Sequence, residues 1–148
     1  MANKQAQQEG MPLRSGYFDR DAFRQKKRMI LVLQTAIAGL FYNVNESLEE
    51  DRELLESLTP GTELHLFRDP DNEYDKWAIS VYTTDDRELG YVTRFKNATI
   101  ARLMDVGKTF RAFVDERPET REELESIGKT RASTEDYRLP FSVYMEDT

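Results

Sequence analysis

Apolar residues occur along this chain in short runs, separated by polar segments rich in turn-forming residues. The first run, MILVLQTAIAGLFY at residues 29–42, is apolar and β-favouring, which predicts a buried strand that ends near Gly39. Five later segments have the length and composition typical of strands: TELHLFRD, KWAISVYTT, RELGYVTR, KTFRAFVDE and YRLPFSVYM. Asp85 and Asp86 are expected to close a hairpin between the third and fourth of the six predicted strands.

Two segments instead have helical spacing. In residues 45–58, helical spacing places Leu48, Leu55 and Leu58 on one face and acidic residues on the opposite face. Asn45 or Ser47 is the candidate N-cap residue. Residues 96–106 form the second predicted helix, which Gly107 is expected to end. Its apolar side consists of Ile100, Leu103 and Met104.

The pattern as a whole predicts a mainly β fold with short helices, a six-stranded β-barrel with two to three helices, because closure leaves no exposed sheet edge. Residues 29–148 are expected to form this domain. Residues 1–28, which are polar and end in the basic cluster RQKKR, are expected to form a partly disordered N-terminal arm. The acidic residues 116–131 are expected to form a helix or a mobile loop.

Composition removes several classes of site. Cysteine is absent and His65 is the only histidine, which excludes disulfides, thiolate zinc sites, cysteine nucleophiles and sites that need several histidines. Carboxylates that could hold the metal ion of a nuclease remain, namely Asp75, Asp85, Asp86 and Glu88. Asp85 and Asp86, however, are ordinary turn residues at a hairpin tip, and no residue stands out as a general base. We therefore expect no cofactor and no enzymatic activity.

No segment of the chain predicts a membrane association. The first residues lack the apolar region of a signal peptide, and the longest apolar run is too short to cross a bilayer. A cytoplasmic location without a membrane partner is therefore expected.

Charge is distributed unevenly. The net charge is −7, yet residues 61–114 carry eight basic and nine acidic side chains and are close to neutral. The acidic excess lies in the flanking residues 31–60 and 115–148. Long tracks along nucleic acid need a basic surface, so this balance is compatible only with a compact site for one or a few nucleotides.

Two segments resemble the signature of the HIRAN family: RDPDNEYDKWAISVY at residues 68–82 and LGYVTR at residues 89–94. The resemblance covers roughly residues 30–145. It implies a modified OB-like β-barrel of six strands. It also implies a function, because HIRAN domains of fork-remodelling DNA translocases capture the 3′ end of single-stranded DNA through the terminal base and its free 3′-hydroxyl. A helicase or another DNA-processing protein is then an implied partner, in DNA repair or replication-fork processing.

The resemblance also implies a set of aromatic binding residues. Tyr42 and Tyr74 match positions that sandwich the terminal base, and Tyr137 matches a position that supports the next base. Base–aromatic stacking contributes about 1–3 kcal/mol per base. Packing in the core or at its rim is an equal alternative for Tyr42 and Tyr137, whereas Tyr74 lies in a polar loop that favours function.

Four polar residues complete the implied site. Asp75 either accepts a hydrogen bond from the 3′-hydroxyl or holds its own loop. Asn72 either reads a base edge or, as the pattern favours, holds the turn. Lys76 and Arg94 would contact phosphates.

Two positions depart from the family pattern. Tyr91 stands where some members have a histidine, and Phe41 stands where an arginine occurs in the better-known eukaryotic type. The loss of up to two positive contacts predicts weak, salt-sensitive binding to short ends.

A protein-interaction module is the alternative function. The barrel groove, or the acidic helix around Glu49 to Glu56, could dock a basic partner, and the acidic blocks fit this function better than they fit DNA.

Overall fold

The computed structural model describes residues 28–118 and 139–147. Six strands form a closed antiparallel barrel in the order β1-β4-β3-β2-β5-β6. Their bounds are β1 Met29–Ala38, β2 Glu63–Arg68, β3 Ile79–Thr83, β4 Glu88–Val92, β5 Phe110–Val114 and β6 Pro140–Glu146. The predicted six-stranded, mainly β, OB-like barrel is therefore confirmed.

Three helices accompany the strands in the described part of the chain. They are α1 Leu40–Asn43, α2 Glu49–Ser57 and α3 Ala98–Asp105. The first strand ends near Gly39 as predicted, because Gly39 adopts a left-handed conformation with φ 81° and redirects the chain into α1. Tyr42 consequently lies in a helical turn and not at the end of a strand.

The barrel interior is filled by apolar side chains from all six strands. Those that are nearly inaccessible to solvent include Ile37, Leu64, Val81, Leu89, Val114 and Phe141. Ile100 and Ala101 of α3 and Leu55 of α2 join the same cluster, so both helices contribute to one core.

Helix α2 differs from its prediction at its first turn. Leu55 and Leu58 are buried as expected, but Leu48 is 49% exposed because it is the N-cap residue and precedes the helix. Asp51 takes the buried place and pairs with Arg87 at 3.0 Å. Neither candidate cap was correct, since Asn45 accepts hydrogen bonds from Ser47 in the preceding turn.

Strand β3 begins at Ile79, three residues later than predicted. The reason is local: Asp75 accepts a hydrogen bond from the Trp77 amide, and the Ala78 amide donates to the Asp75 carbonyl. These bonds close a turn, so Trp77 belongs to the loop before the strand.

Two other expectations concern residues outside the described ranges. The N-terminal arm at residues 1–28 falls there apart from Arg28, and so does nearly all of the acidic segment 116–131.

Candidate functional site

Residues 69–78, which connect β2 to β3, form a loop held by its own backbone. The amide of Asp69 donates to the carbonyl of Ala78 at 3.0 Å and so joins the two ends of the loop. Arg68 reinforces this closure, because its guanidinium donates to the carbonyls of Ala78 and Lys76 at 2.6 and 3.0 Å. The loop therefore presents its side chains from a fixed frame.

Asn72 organises the middle of this loop. Its side-chain oxygen accepts hydrogen bonds from the amides of Tyr74 and Asp75, at 2.9 and 3.0 Å, and its nitrogen donates to Asp69 at 3.1 Å. These bonds are those of a turn-holding residue. Of the two roles considered for Asn72, the turn role is the one with observed partners.

Asp75 joins the loop to the start of α3. One carboxylate oxygen accepts from the Trp77 amide at 3.0 Å, and the other accepts from the side chain of Asn97 at 2.8 Å. Asn97 is almost fully buried and is the N-cap residue of α3, yet its amide bonds to Asp75 and makes no cap hydrogen bond. Asp75 is thus a structural residue of its loop.

The same contacts set the charge of Asp75. Burial raises its pKa, but the hydrogen bonds from Asn97 and Trp77 and the positive charges of Arg94 and Arg68 outweigh burial, and the net pKa lies below its usual value. Asp75 is therefore ionised at neutral pH. A carboxylate has about four lone-pair positions, so with two in use it can still accept a hydrogen bond from a ligand.

A groove of about 370 Å³ opens between this loop and the segment that follows β4. We call it the loop groove. Five of the residues singled out in the sequence line it: Asn72, Tyr74, Asp75, Tyr91 and Arg94. The barrel brings them together because Tyr91, in β4, pairs with Ser80 in β3 and with Ala38 in β1.

Two aromatic rings on the groove wall are exposed to solvent. Tyr74 is 79% exposed and Phe95 is 88% exposed, and both line the loop groove. A single exposed ring is ordinary, whereas two exposed rings that line one groove form the kind of apolar surface that binds ligands. Sequence reasoning missed Phe95, although it stands in the polar segment TRFKN and meets the criterion applied to Tyr74.

Tyr91 forms the half-buried part of the groove. Burial raises its pKa, with further contributions from the negative charges of Glu88 and Asp69. Its hydroxyl, protonated at neutral pH, lies 3.5 Å from a carboxylate oxygen of Asp69, at the outer limit of a hydrogen bond. Tyr91 therefore offers a neutral hydroxyl group where a histidine would offer a cation.

Two other predicted residues are not among those lining the groove. Tyr42, in α1, is 78% exposed. The ammonium of Lys76 lies 5.2 Å from the centre of the Trp77 ring. Tyr137 lies outside the described residues.

The structure adds two supporting residues that sequence reasoning did not assign a role. Arg68, the first residue of the motif, closes the loop and pairs with Asp105 of α3 at 2.8 Å. Asn97 binds Asp75. The sequence carried only a weak signal for either, because the ion pair of Arg68 and the bond of Asn97 both involve partners more than 20 residues away.

Asp85, Asp86 and His65 make contacts that are typical of structural residues. Asp85 and Asp86 lie in the turn between β3 and β4, where the Asp85 amide donates to the Thr83 hydroxyl. His65, in β2, contacts Phe67 edge-on with ring centres 6.2 Å apart. Within residues 28–118 and 139–147, no group of three or more acidic or histidine side chains is placed to hold a metal ion. In the same ranges, no helix is both long and apolar enough to cross a bilayer.

Comparison with known proteins now identifies the family. The sequence model of the HIRAN domain matches residues 30–132, which is more than half of the chain. The chain belongs to the HIRAN family. HIRAN domains are DNA-binding modules and are generally non-catalytic. No curated protein sequence matches this HIRAN domain.

Two crystal structures share its fold. A protein from Lactobacillus plantarum is 23% identical and superposes with a TM-score of 0.57, covering 80% of this chain and 97% of that one. The HIRAN domain of human HLTF is 17% identical with a TM-score of 0.53, and the match covers 80% of this chain and 78% of that one. At these identities the likeness establishes the barrel fold, and it assigns neither a ligand nor a role to any residue of the groove.

Proposed function

We propose that this HIRAN domain binds the 3′ end of single-stranded DNA in the loop groove, without catalysis. The observation that carries the proposal is the convergence of three kinds of group on one groove: exposed rings, an ionised carboxylate and an arginine. Stacking accepts any base, a carboxylate accepts a hydroxyl proton and a guanidinium binds phosphate. A strand terminus is the part of DNA that offers all three partners within one nucleotide.

Each group has a distinct role in this proposal. Tyr74 stacks on the terminal base, and Phe95 supplies a second ring on the same groove wall. Arg94 binds the phosphate that precedes the terminal sugar. Tyr42, whose ring is exposed in α1, remains a candidate for an outer stacking contact, and Tyr137 for the next base.

Asp75 supplies the selection for a free end. As an ionised carboxylate it can only accept hydrogen bonds, so a 3′-hydroxyl is a suitable partner. A 3′-phosphate brings negative charge and is repelled by Asp75. The structural bonds of Asp75 hold the carboxylate in place for this contact.

Fluorescence anisotropy of short 5′-labelled single strands at low salt tests the proposal. We expect binding with a 3′-hydroxyl and at least tenfold weaker binding with a 3′-phosphate, the equivalent of one charged hydrogen bond or about 1.5 kcal/mol. Tyr74→Ala should lower affinity by about 1–3 kcal/mol. Phe67→Ala, which removes an exposed ring of β2 outside the groove, is the matched control and should bind as the native protein does.

Equal binding of both ends, with Tyr74→Ala folded and unaffected, would exclude end recognition in the loop groove. If the ends are recognised, the proposal extends to a cellular role. The domain would then act beside a helicase or another DNA-processing protein in cytoplasmic DNA repair or fork processing.

The protein-interaction alternative has one observation in its favour. Helix α2 exposes four glutamates, Glu49, Glu50, Glu53 and Glu56, against one exposed arginine, Arg52. A basic partner protein would be released by replacing these glutamates with lysines. The same variant should leave DNA binding in the loop groove intact, or strengthen it through the change in net charge.

A further inference from the structure

Trp77, the only tryptophan of the chain, is surrounded by positive charge. Its half-buried ring lies at the end of the 69–78 loop. The guanidinium of Arg102 is 4.6 Å from the ring centre, the ammonium of Lys76 is 5.2 Å away and the guanidinium of Arg68 is 5.9 Å away. All three distances are within the range of about 6 Å for cation–π attraction.

One of these cations already has its counterion. The Arg68 side chain is only 12% exposed, and it pairs with Asp105 through two nitrogen–oxygen contacts of 2.8 and 3.3 Å. Arg68 therefore supports the fold and contributes little net charge to the surface.

The other two cations are exposed. Lys76, in the loop, and Arg102, on α3, form no ion pair with any residue in 28–118 or 139–147. We call Lys76, Trp77 and Arg102 the Trp77 patch. Two like charges held beside one ring repel each other, and an anion between them would relieve that repulsion.

The Trp77 patch adjoins the loop groove. The amide of Trp77 donates to Asp75, which lines the groove, and Lys76 lies between them in the sequence. Consecutive Cα atoms are about 3.8 Å apart, so the Cα atoms of Asp75 and Trp77 are separated by less than about 7.6 Å. The loop groove and the Trp77 patch are therefore built on neighbouring residues of one loop.

We infer that the Trp77 patch binds backbone phosphates of the nucleotides that precede the terminal one. This inference rests on the proposed function. The groove holds the terminal nucleotide, and Arg102 and Lys76 hold the strand beyond it. The planar guanidinium of Arg102 suits the oxygens of a phosphodiester, and Trp77 fixes its position.

Oligonucleotide length separates the two subsites. A dinucleotide with a free 3′-hydroxyl reaches only the loop groove, whereas an octanucleotide also reaches the patch. Anisotropy titrations between about 50 and 200 mM salt would be made with the native chain, Arg102→Gln and Lys76→Gln. Each lost phosphate contact lowers the slope of log affinity against log salt by about 0.7 for single strands. Raising the salt over this range should therefore weaken octanucleotide binding roughly threefold less in either variant than in the native chain. The salt dependence of dinucleotide binding should be the same in Arg102→Gln as in the native chain.

Arg52→Gln is the matched control, since it changes net charge equally. Arg52 is exposed on α2, and the Asp51–Arg87 pair attaches α2 to the hairpin at the far end of β3. That strand separates the hairpin from the Trp77 patch by roughly 13 Å at 3.3 Å per residue. The control should keep the native salt slope.

Emission from Trp77 gives a second readout, because it is the only tryptophan in the protein. The octanucleotide should change the emission spectrum and the dinucleotide should change it much less. An octanucleotide slope that is unchanged in Arg102→Gln, or changed equally in Arg52→Gln, would overturn the inference while end recognition stands. Dependence on Arg102 without any preference for a 3′-hydroxyl would support the patch and refute the proposed function. Absence of binding to both oligonucleotides would refute both.

Discussion

At the scale of single residues, Gly90 shows how closely two strands of the barrel approach. Gly90 lies in β4, and a Cβ atom built on it would stand 2.3 Å from the carbonyl oxygen of Ala38 and 2.7 Å from a methyl carbon of Ile37. Both neighbours belong to β1, and because the Ala38 oxygen is backbone it cannot move without shifting the strand. The glycine of the LGY motif is thus required by packing against β1.

Replacement of Gly90 by alanine should destabilise the barrel by about 3 kcal/mol, the upper part of the range for overpacked cores, because β1 and β4 must separate. Gly107→Ala is the control. Gly107 has φ +99° but no atom within 4 Å of a built Cβ, so only backbone strain of about 1 kcal/mol is expected. Urea unfolding followed by circular dichroism measures both, and equal losses would contradict the steric account.

The residues of the candidate site were partly predictable for a physical reason. The resemblance to the HIRAN signature implied binding roles for Tyr74 and Asp75, and the polar loop around Tyr74 favoured function there. Phe95 was missed because it follows the LGYVTR motif and lies outside it, although its polar surroundings resemble those of Tyr74; the barrel then places both rings on one groove. The loop-holding role of Asp75 was one of two alternatives in the sequence, whereas its bond from Asn97, 22 residues later, is one that no local pattern provides.

At the scale of elements, helix α2 is attached to the barrel by a pair of charges. Asp51, 5% exposed, accepts from the Arg87 guanidinium at 3.0 Å and from the amide of Asn45 at 2.8 Å. Arg87 also donates to the carbonyl of Asn43, at the end of α1. One arginine therefore connects both short helices to the β3–β4 hairpin.

Asp51→Ala should loosen α2 without opening the barrel, because Arg87 loses its charged partner and the turn at Asn45 loses an acceptor. Amide hydrogen exchange should become faster in residues 49–57, with unchanged protection in the strands. Glu50→Ala, an exposed neighbour in the same helix, should leave exchange as it is. Faster exchange throughout the barrel would show that the pair supports the whole fold.

The limits of helix prediction follow from the same pair. Periodicity identified the helix and its buried Leu55, but it assigned the first buried position to Leu48. Hydrophobicity cannot predict that an aspartate is buried there, since burial of Asp51 depends on an arginine 36 residues later. Strand boundaries were accurate where glycine sets them, as at Gly39, and wrong where a side chain redirects the backbone, as Asp75 does before β3.

At the scale of the whole molecule, stability depends on pH through carboxylates that are better bound in the folded state. A hydrogen bond from Arg87 lowers the pKa of Asp51, and one from Arg68 lowers that of Asp105. The pKa of Asp75 is lowered because its hydrogen bonds outweigh burial. A folded-state pKa below the unfolded one stabilises the protein at neutral pH. That stability is lost as pH falls through the folded value, because the unfolded chain binds more protons.

The urea midpoint should therefore be highest near neutral pH and fall progressively from about pH 5 towards pH 2. Asp105→Asn should lower the midpoint at pH 7 and reduce the difference between pH 7 and pH 3. Asp71→Asn, at an exposed position of the 69–78 loop, is the control and should keep the native pH dependence. A midpoint that rises on acidification would contradict the assigned directions.

The sequence could predict that a barrel forms but not which strands pair within it. Alternation and turn signals identify strands, and closure follows from the need to remove edges. The pairing of β1 with β4 and of β2 with β5 joins segments that no local pattern relates. Only the packed core, in which Ile37, Leu64 and Ala112 are all buried, selects that order.

The pairing of β1 has a consequence for how the protein is made. The first strand lies along the last one from Met29 to Ala36, whereas it meets β4 only through Ile37 and Ala38. During synthesis the apolar β1 thus leaves the ribosome long before the strand that covers most of it. The barrel can close only after β6 has been translated, so folding is completed after β6 has emerged, and the nascent chain carries an uncovered strand that chaperones would recognise.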